Sequence, residues 1–256
     1  MAEFVKRNPH APPGFFACEA AGLRWLSAVD GGVPCAQVLH CDDTSLTLRR
    51  LREGGPTAES AVEFGRRLAI THEAGAAGFG AAPDGWSQAG FFGPLRHPLP
   101  MSLVVHDGWG RFYASERLAP MLGHAAGNLH PGTHSLIEQV ILRCRAGDFD
   151  DDDHAVRLHG DLWSGNVMWT PDGVVLIDPA AHGGHRETDL AMLALFGCPH
   201  LEAIHRGYQS VHPLGRTWRD RVALHQIFPL LAHVALFGGG YERQTAQAAR
   251  TALTLG

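Results

Sequence analysis

Apolar positions along this chain fall mostly at helical spacing. In 133–146, Leu136, Ile137, Val140 and Ile141 share one side of a helix that Thr133 is placed to cap. The same spacing predicts helices over 15–28, ending at Asp30-Gly31-Gly32, and over 57–75, with Thr57 as N-cap. Phe112, Leu118, Met121 and Leu122 predict another over 109–122. Three more follow at 189–196, 218–237 and 242–255, the last two separated by Gly238-Gly239-Gly240. Strand-like runs are short: Phe4-Val5-Lys6, 38–40, 45–48, 155–158, 167–169 and 174–177. The stretch 78–100 holds nine Gly or Pro and reads as a long structured loop. The chain is therefore expected to be α+β, with strands near its start and around the middle, and helices dominating the rest.

The middle strands carry the chemistry. Strand 155–158 delivers His159 to the loop His159-Gly160-Asp161-Leu162-Trp163-Ser164-Gly165-Asn166. The turn Thr170-Pro171-Asp172-Gly173 joins the next two strands into a hairpin, which ends at Ile177-Asp178-Pro179. Asn166 and Asp178 then stand at the hairpin's two open ends. Asp161, Asn five residues on and Asp twelve further are the order and spacing of a kinase-type phosphotransferase. Asp161 would orient the acceptor hydroxyl. Asn166 and Asp178 offer two oxygen ligands to a hard cation such as Mg²⁺. Gly-Asp and Asp-Pro alone are ordinary turns; their combination with the hairpin is what carries the reading.

His159 to Asn166, Asp178-Pro179-Ala180, Gly184-His185-Arg186-Glu187 and Asp189-Leu190-Ala191 together resemble the fructosamine kinase (ketosamine-3-kinase) family. Arg117-Leu118-Ala119-Pro120 and Leu236-Phe237-Gly238-Gly239-Gly240-Tyr241 extend the resemblance over nearly the whole chain. It implies a protein-kinase-like two-lobe fold: a truncated N-terminal β lobe over 1–52 and a mainly helical catalytic lobe over 53–256. It implies ATP and Mg²⁺ as cofactors and a small-molecule or glycated-amine substrate. The resemblance places Lys6 on the strand that meets the nucleotide phosphates, and Glu19 on the helix that positions it. The backbone around Leu48, Arg49 and Leu51 would meet adenine. Trp163 would either stack on a sugar face or fill the core. His185, Arg186 and Glu187 would bind substrate hydroxyls or brace the loop. His159 is structural, and Asp189 would both cap its own helix and brace the catalytic loop. The loop 78–100 would lie near the acceptor, and His182-Gly183, where the family more often has aromatic residues, predicts a roomier pocket.

One departure stands out. Only five residues precede Lys6, so a Gly-rich phosphate-covering hairpin has no place before it. The expectation is a chain with an internal start or a short small lobe, and weakened ATP binding.

Bulk composition sharpens the exclusions. The net charge of −5 leaves no basic face for nucleic acid. No apolar run is long enough for a membrane span, and residues 1–14 lack a signal-peptide pattern. Five Cys without a Cys-x-x-Cys pair predict free thiols and a cytoplasmic location. The acidic run 148–153 reads as a solvated loop. A monomer is expected. The function expected is ATP-dependent phosphorylation of a ketosamine sugar hydroxyl, a deglycation or repair step. The alternatives are a kinase for another small hydroxyl compound, such as an aminoglycoside or sugar, and a catalytically weakened kinase-like binding module.

Overall fold

The computed structural model describes residues 2–255. Its strands are β1 (Glu3–Arg7), β2 (Val38–Cys41), β3 (Ser45–Arg49), β4 (Gly90–Phe92), β5 (Leu99–Met101), β6 (Val156–Leu158), β7 (Val167–Thr170), β8 (Gly173–Leu176) and β9 (His182–Gly184). Its helices are α1 (Phe15–Ser27), α2 (Ala58–Glu73), α3 (Trp109–Phe112), α4 (Ala119–Ala125), α5 (Pro131–Ala146), α6 (Glu187–Leu195), α7 (Leu201–Gln209), α8 (Val222–Phe237) and α9 (Glu242–Leu253).

The first three strands form one antiparallel sheet in the order β1-β3-β2. Lys6 stands opposite Leu46. Helix α1 buries Phe16, Ala20 and Leu23 against Leu46 and Leu48 of this sheet. The larger core lies among α4, α5, α8 and α9, where Leu122, Ile137, Val140, Leu230, Leu231 and Ala249 are buried together.

The hairpin β7–β8 sits between the two parts and is gripped on both edges. Along β8, Leu176 accepts from Ala36 N–H at 2.9 Å and donates to Pro34 at 2.9 Å. Along β7, Trp169 accepts from Gly54 N–H at 2.8 Å. Gly22 of α1 packs on Ala181, just past the hairpin's end; an added Cβ would stand 3.0 Å from the Ala181 Cβ. These contacts fix the hairpin against α1 and against the segments flanking β2 and β3, and β3 pairs with β1, which carries Lys6.

Several expected elements change form. Thr57 does cap α2, in a reciprocal pair with Ser60. Thr133 does not cap α5: the helix starts at Pro131, a residue suited to a first turn because it lacks an N–H. The Thr133 hydroxyl donates instead to Glu242 of α9. The helix expected over 109–122 is interrupted by a π-helical turn at Tyr113–Leu118. Pro120 has no N–H for the Glu116 carbonyl, and Ala119 N–H reaches back to Ala114. The stretch 78–100 is a loop only in part, since Gly90–Phe92 pairs with Leu99–Met101. Helix α6 starts at Glu187 rather than Asp189, and α8 at Val222 rather than 218. Among the described residues, no helix is long and apolar enough to cross a membrane, and all five Cys are free thiols.

Helices α2 and α7 cross at two glycines. A Cβ on Gly65 would enter the Ile204 carbonyl, and one on Gly207 would enter the Val62 carbonyl. Gly207→Ala is expected to destabilise the protein by about 2 kcal/mol or more through overpacking. Thermal unfolding reads it as a lowered midpoint; an unchanged midpoint would mean that the crossing has slack.

Candidate active site

Strand β6 ends at Leu158 and feeds the loop 159–166. Two glycines let this loop turn tightly. Gly160 has φ 80, and a Cβ there would run into the Ala180 carbonyl. Gly165 leaves room for the Trp163 ring, which a Cβ would enter.

Asp189, buried in α6, organises the loop. Its Oδ2 accepts from His159 N–H at 2.8 Å and its Oδ1 from Gly160 N–H at 3.0 Å. His72 Nε2 lies 3.3 Å from the same Oδ2, and His72 Nδ1 lies 2.8 Å from the Tyr208 hydroxyl. Burial works against charge on Asp189, yet His72 and the backbone N–H groups hold its carboxyl below the usual range. Asp189 does not cap its own helix; it stands inside the first turn. The His159 ring ties the loop to the hairpin. Its Nε2 is 2.8 Å from the Ile177 carbonyl, and its Nδ1 accepts from Asp161 N–H at 3.2 Å. Burial lowers the pKa of this imidazole, so it works as a neutral bridge.

Asp161, Asn166 and Asp178 meet in one cavity of about 550 Å³, which Lys6, Glu19 and Trp163 also line. The Asn166 amide nitrogen donates to the Asp161 carbonyl at 2.7 Å and to Asp161 Oδ2 at 3.2 Å. The buried Asn166 thereby keeps its amide oxygen free of protein donors among the described residues. Lys6 Nζ bridges Glu19 Oε1 at 2.7 Å and Asp178 Oδ1 at 2.6 Å. Burial opposes the Lys6 charge, but the two carboxylates outweigh it and raise the pKa. Burial raises that of Glu19 in spite of Lys6. Asp161 is half-buried, with protein atoms crowding its carboxylate. Burial pushes it up to about 7, against the Asn166 bond and with help from Asp178 and Asp189.

A second cavity of about 260 Å³ shares Asp178 and Phe4 with the first. Leu48, Met168 and Ile177 give it apolar walls, and Arg49 and Leu51 border it. Asp178 thus stands where an apolar slot meets a polar chamber. A free Asn166 oxygen beside the Asp178 carboxylate suits a hard cation's donor set, and the slot suits a flat base.

Trp163 is 38% exposed, so it does not fill the core. It packs edge to face with Phe196, with centroids 6.2 Å apart. His185, Arg186 and Glu187 do not face the cavity. All three are buried in a charge network behind the loop. Arg186 binds Asp153 at 2.5 Å and Glu73 at 2.7 Å. Glu187 accepts from Arg221 at 2.8 Å, and His185 lies 3.3 Å from Asp151. The acidic run is an exposed loop, as expected, but three of its carboxylates have set partners: Asp151 pairs with Arg221, Asp153 with the buried Arg186, and Asp150 accepts from Gly110 N–H at 2.6 Å. His182 and Gly183 do not widen the pocket either. They pair with β6, and a Cβ on Gly183 would enter the Gly78 carbonyl.

Residue pattern alone missed two groups. His72 and Tyr208 sit on apolar helix faces, where a polar residue at a core position was the available signal. His233 reaches the cavity from α8 without a local motif.

The fructosamine kinase family model matches residues 2–254. A probable ketoamine kinase of Synechocystis sp. (strain ATCC 27184 / PCC 6803 / Kazusa) is 33% identical over 98% of this chain and 83% of its own length. A crystal structure assigned as a fructosamine-3-kinase, from Thermobifida fusca YX-ER1, superposes with a TM-score of 0.90 at 46% identity, covering 99% of this chain and 86% of that one. An aminoglycoside phosphotransferase complexed with ADP and hygromycin B shares the fold alone, with a TM-score of 0.57 at 15% identity over 97% of this chain and 85% of its own. The matched family, the shared fold and the convergence of Asp161, Asn166, Asp178 and Lys6 agree: this chain belongs to the fructosamine kinase family and is a small-molecule kinase of protein-kinase-like fold.

Proposed function

We propose that this protein transfers a phosphoryl group from ATP to a sugar hydroxyl of a ketosamine, a step in the repair of glycated amines. One observation carries the reading: Asp161, the free Asn166 oxygen and the Lys6–Asp178 pair share a cavity beside an apolar slot.

The apolar slot takes adenine between Leu48, Met168 and Ile177, against the backbone at Arg49–Leu51. Lys6, steadied by Glu19, holds the nucleotide phosphates. Asn166 and Asp178 would hold Mg²⁺, which would supply positive charge against the phosphates. Asp161 accepts a hydrogen bond from the acceptor hydroxyl and takes its proton as the oxygen becomes the nucleophile. Its carboxyl near 7 places that proton acceptor close to neutral pH, where a general base works best. Asn166 fixes the Asp161 rotamer by donating to Oδ2. Asp189 and His159 keep the loop from moving as charge shifts. Most of the rate gain comes from positioning and fixed charge.

The test is Mg²⁺-dependent ADP release with ribulosyl and fructosyl amines. Asp161→Asn should reduce acceptor-dependent turnover by about 10²-fold or more, in the range of a lost general base; a variant near wild-type rate would remove Asp161 from the chemistry. Asp178→Ala should weaken Mg²⁺-ATP binding by at least about tenfold, roughly 1.4 kcal/mol. Calorimetric titration showing unchanged affinity would contradict its role.

The Asp161 pKa also has a sign in stability. The folded value near 7 lies above the unfolded value of about 3.9. The folded state therefore holds a proton that the unfolded state releases, and stability falls as pH rises between these values. Asp161→Asn removes that loss. Its unfolding midpoint, without nucleotide or metal, should exceed wild type at about pH 8 and approach it near pH 4. A variant less stable than wild type at the higher pH would contradict the raised pKa.

A further inference from the structure

We propose that Asn8 is a positioning residue: it ties one wall of the catalytic cavity to the strand and helix that carry Lys6 and Glu19, so that acceptor and Mg²⁺-ATP bind cooperatively. The inference rests on the ketosamine-kinase reading above and concerns how the two halves of that site are joined.

Strand β4 is shared between two cores. Adjacent residues of a strand face opposite ways, and Phe91 and Phe92 separate accordingly. Phe92 is buried in the larger core and meets Phe228 edge to face, with centroids 4.8 Å apart. Phe91 packs on the core of the small sheet, its ring centroid 5.4 Å from that of Phe15 in the first turn of α1. Leu95, in the turn after β4, packs on the same small core. Phe91, Phe92 and Leu95 also line the cavity that holds Asp161. A ligand seated on this wall therefore touches a segment anchored in both parts of the molecule.

Asn8 closes the link from the side of β1. Its backbone N–H donates to the Thr44 carbonyl at 2.9 Å, which continues the β1–β3 pairing past Arg7. Its side-chain oxygen accepts from His10 N–H at 3.0 Å, and this bond sets the orientation of the amide. The amide nitrogen then donates to the Leu95 carbonyl at 2.9 Å, across 87 positions of sequence. The start of α1 is held by the same stretch: a Cβ on Gly14 would stand 3.1 Å from the Trp86 ring and 3.3 Å from Gln88 Oε1. Residues 86–95 thus touch the end of β1 and the start of α1. Lys6 lies two residues before Asn8, and Glu19 about one helical turn after Phe15. The Lys6–Glu19 pair, 2.7 Å apart, bridges β1 and α1, so its geometry depends on both being in place. An acceptor on the β4 wall and a nucleotide held by Lys6 favour the same arrangement of β4, β1 and α1. Two ligands that favour one arrangement strengthen each other's binding, and they do so equally.

Calorimetric titration of the whole chain with Mg²⁺ and the non-hydrolysable analogue AMP-PNP, with and without saturating fructosyl-lysine, reads the coupling. The acceptor should tighten nucleotide binding by about fivefold or more, and the nucleotide should tighten acceptor binding by the same factor. Asn8→Asp keeps an acceptor for His10 N–H and removes only the donor to Leu95. It should bring the coupling factor toward one, with the thermal midpoint and the binding of each ligand alone close to wild type. In turnover, both KM values should rise while kcat at saturation of both substrates holds. A wild-type factor of one, or a factor that Asn8→Asp leaves unchanged, would overturn the inference; ADP release with fructosyl-lysine would leave the ketosamine reading standing. A lowered midpoint with an unchanged factor would assign Asn8 to stability alone and overturn it equally. No ADP release with any fructosyl or ribulosyl amine would overturn the ketosamine reading and the inference with it.

Discussion

The geometry of the candidate active site hangs on one fully buried carboxylate. Asp189 is 0% exposed and accepts two backbone N–H groups from the turn at His159-Gly160. A buried carboxylate needs such partners, because each bond lost leaves a desolvated group costing about 1–3 kcal/mol or more. The turn therefore cannot relax without exposing an unpaired charge, and Asp161 follows one residue later. His72 and Tyr208 extend the arrangement to Arg186, whose guanidinium lies 3.3 Å from the Tyr208 hydroxyl. Residues that at first suggest substrate contact, His185 to Glu187, are thus needed on the far side of the loop. Arg186 answers Asp153 of the acidic run, and Arg221 ties Glu187 at the start of α6 to Asp151.

A second constraint is the grip on the hairpin. Pro34 and Ala36 bond one edge of it, and Gly54 bonds the other. The same chain segments lead into β2 and out of β3, so the small sheet and the hairpin move as one piece. Lys6 and Asp178 face each other for this reason, although they lie 172 positions apart in sequence. The cation on Lys6 answers two carboxylates, which is what keeps it charged in spite of burial. Its Asp178 partner is also the group proposed to hold the metal, so binding Mg²⁺-ATP would redistribute an existing charge balance rather than create a new one. Burial raises the pKa of Asp161 toward neutrality, and its one Asn166 donor is too little to offset that.

Sequence by itself determined what is local. Asp161, Asn166 and Asp178 lie within one loop and one hairpin, so spacing and turn chemistry were enough to bring them together. Helix periodicity located α1, α2, α5, α8 and α9 within a few residues, and the Thr57 cap was legible for the same reason. What exceeded the reach of a few residues was decided by tertiary structure. His72 meets Asp189 across 117 positions, and nothing near His72 announces it. The orientation of His185 to Glu187 depends on Asp151, Asp153, Glu73 and Arg221, which packing alone brings near. The π turn before Pro120 and the pairing of His182–Gly184 with β6 depend likewise on distant partners. Periodicity and turn propensity act through bonds between near neighbours. Which charge answers which, and which aromatic rings border the cavity, is settled only when desolvation forces every buried polar group to find a partner and leaves apolar walls where none is available.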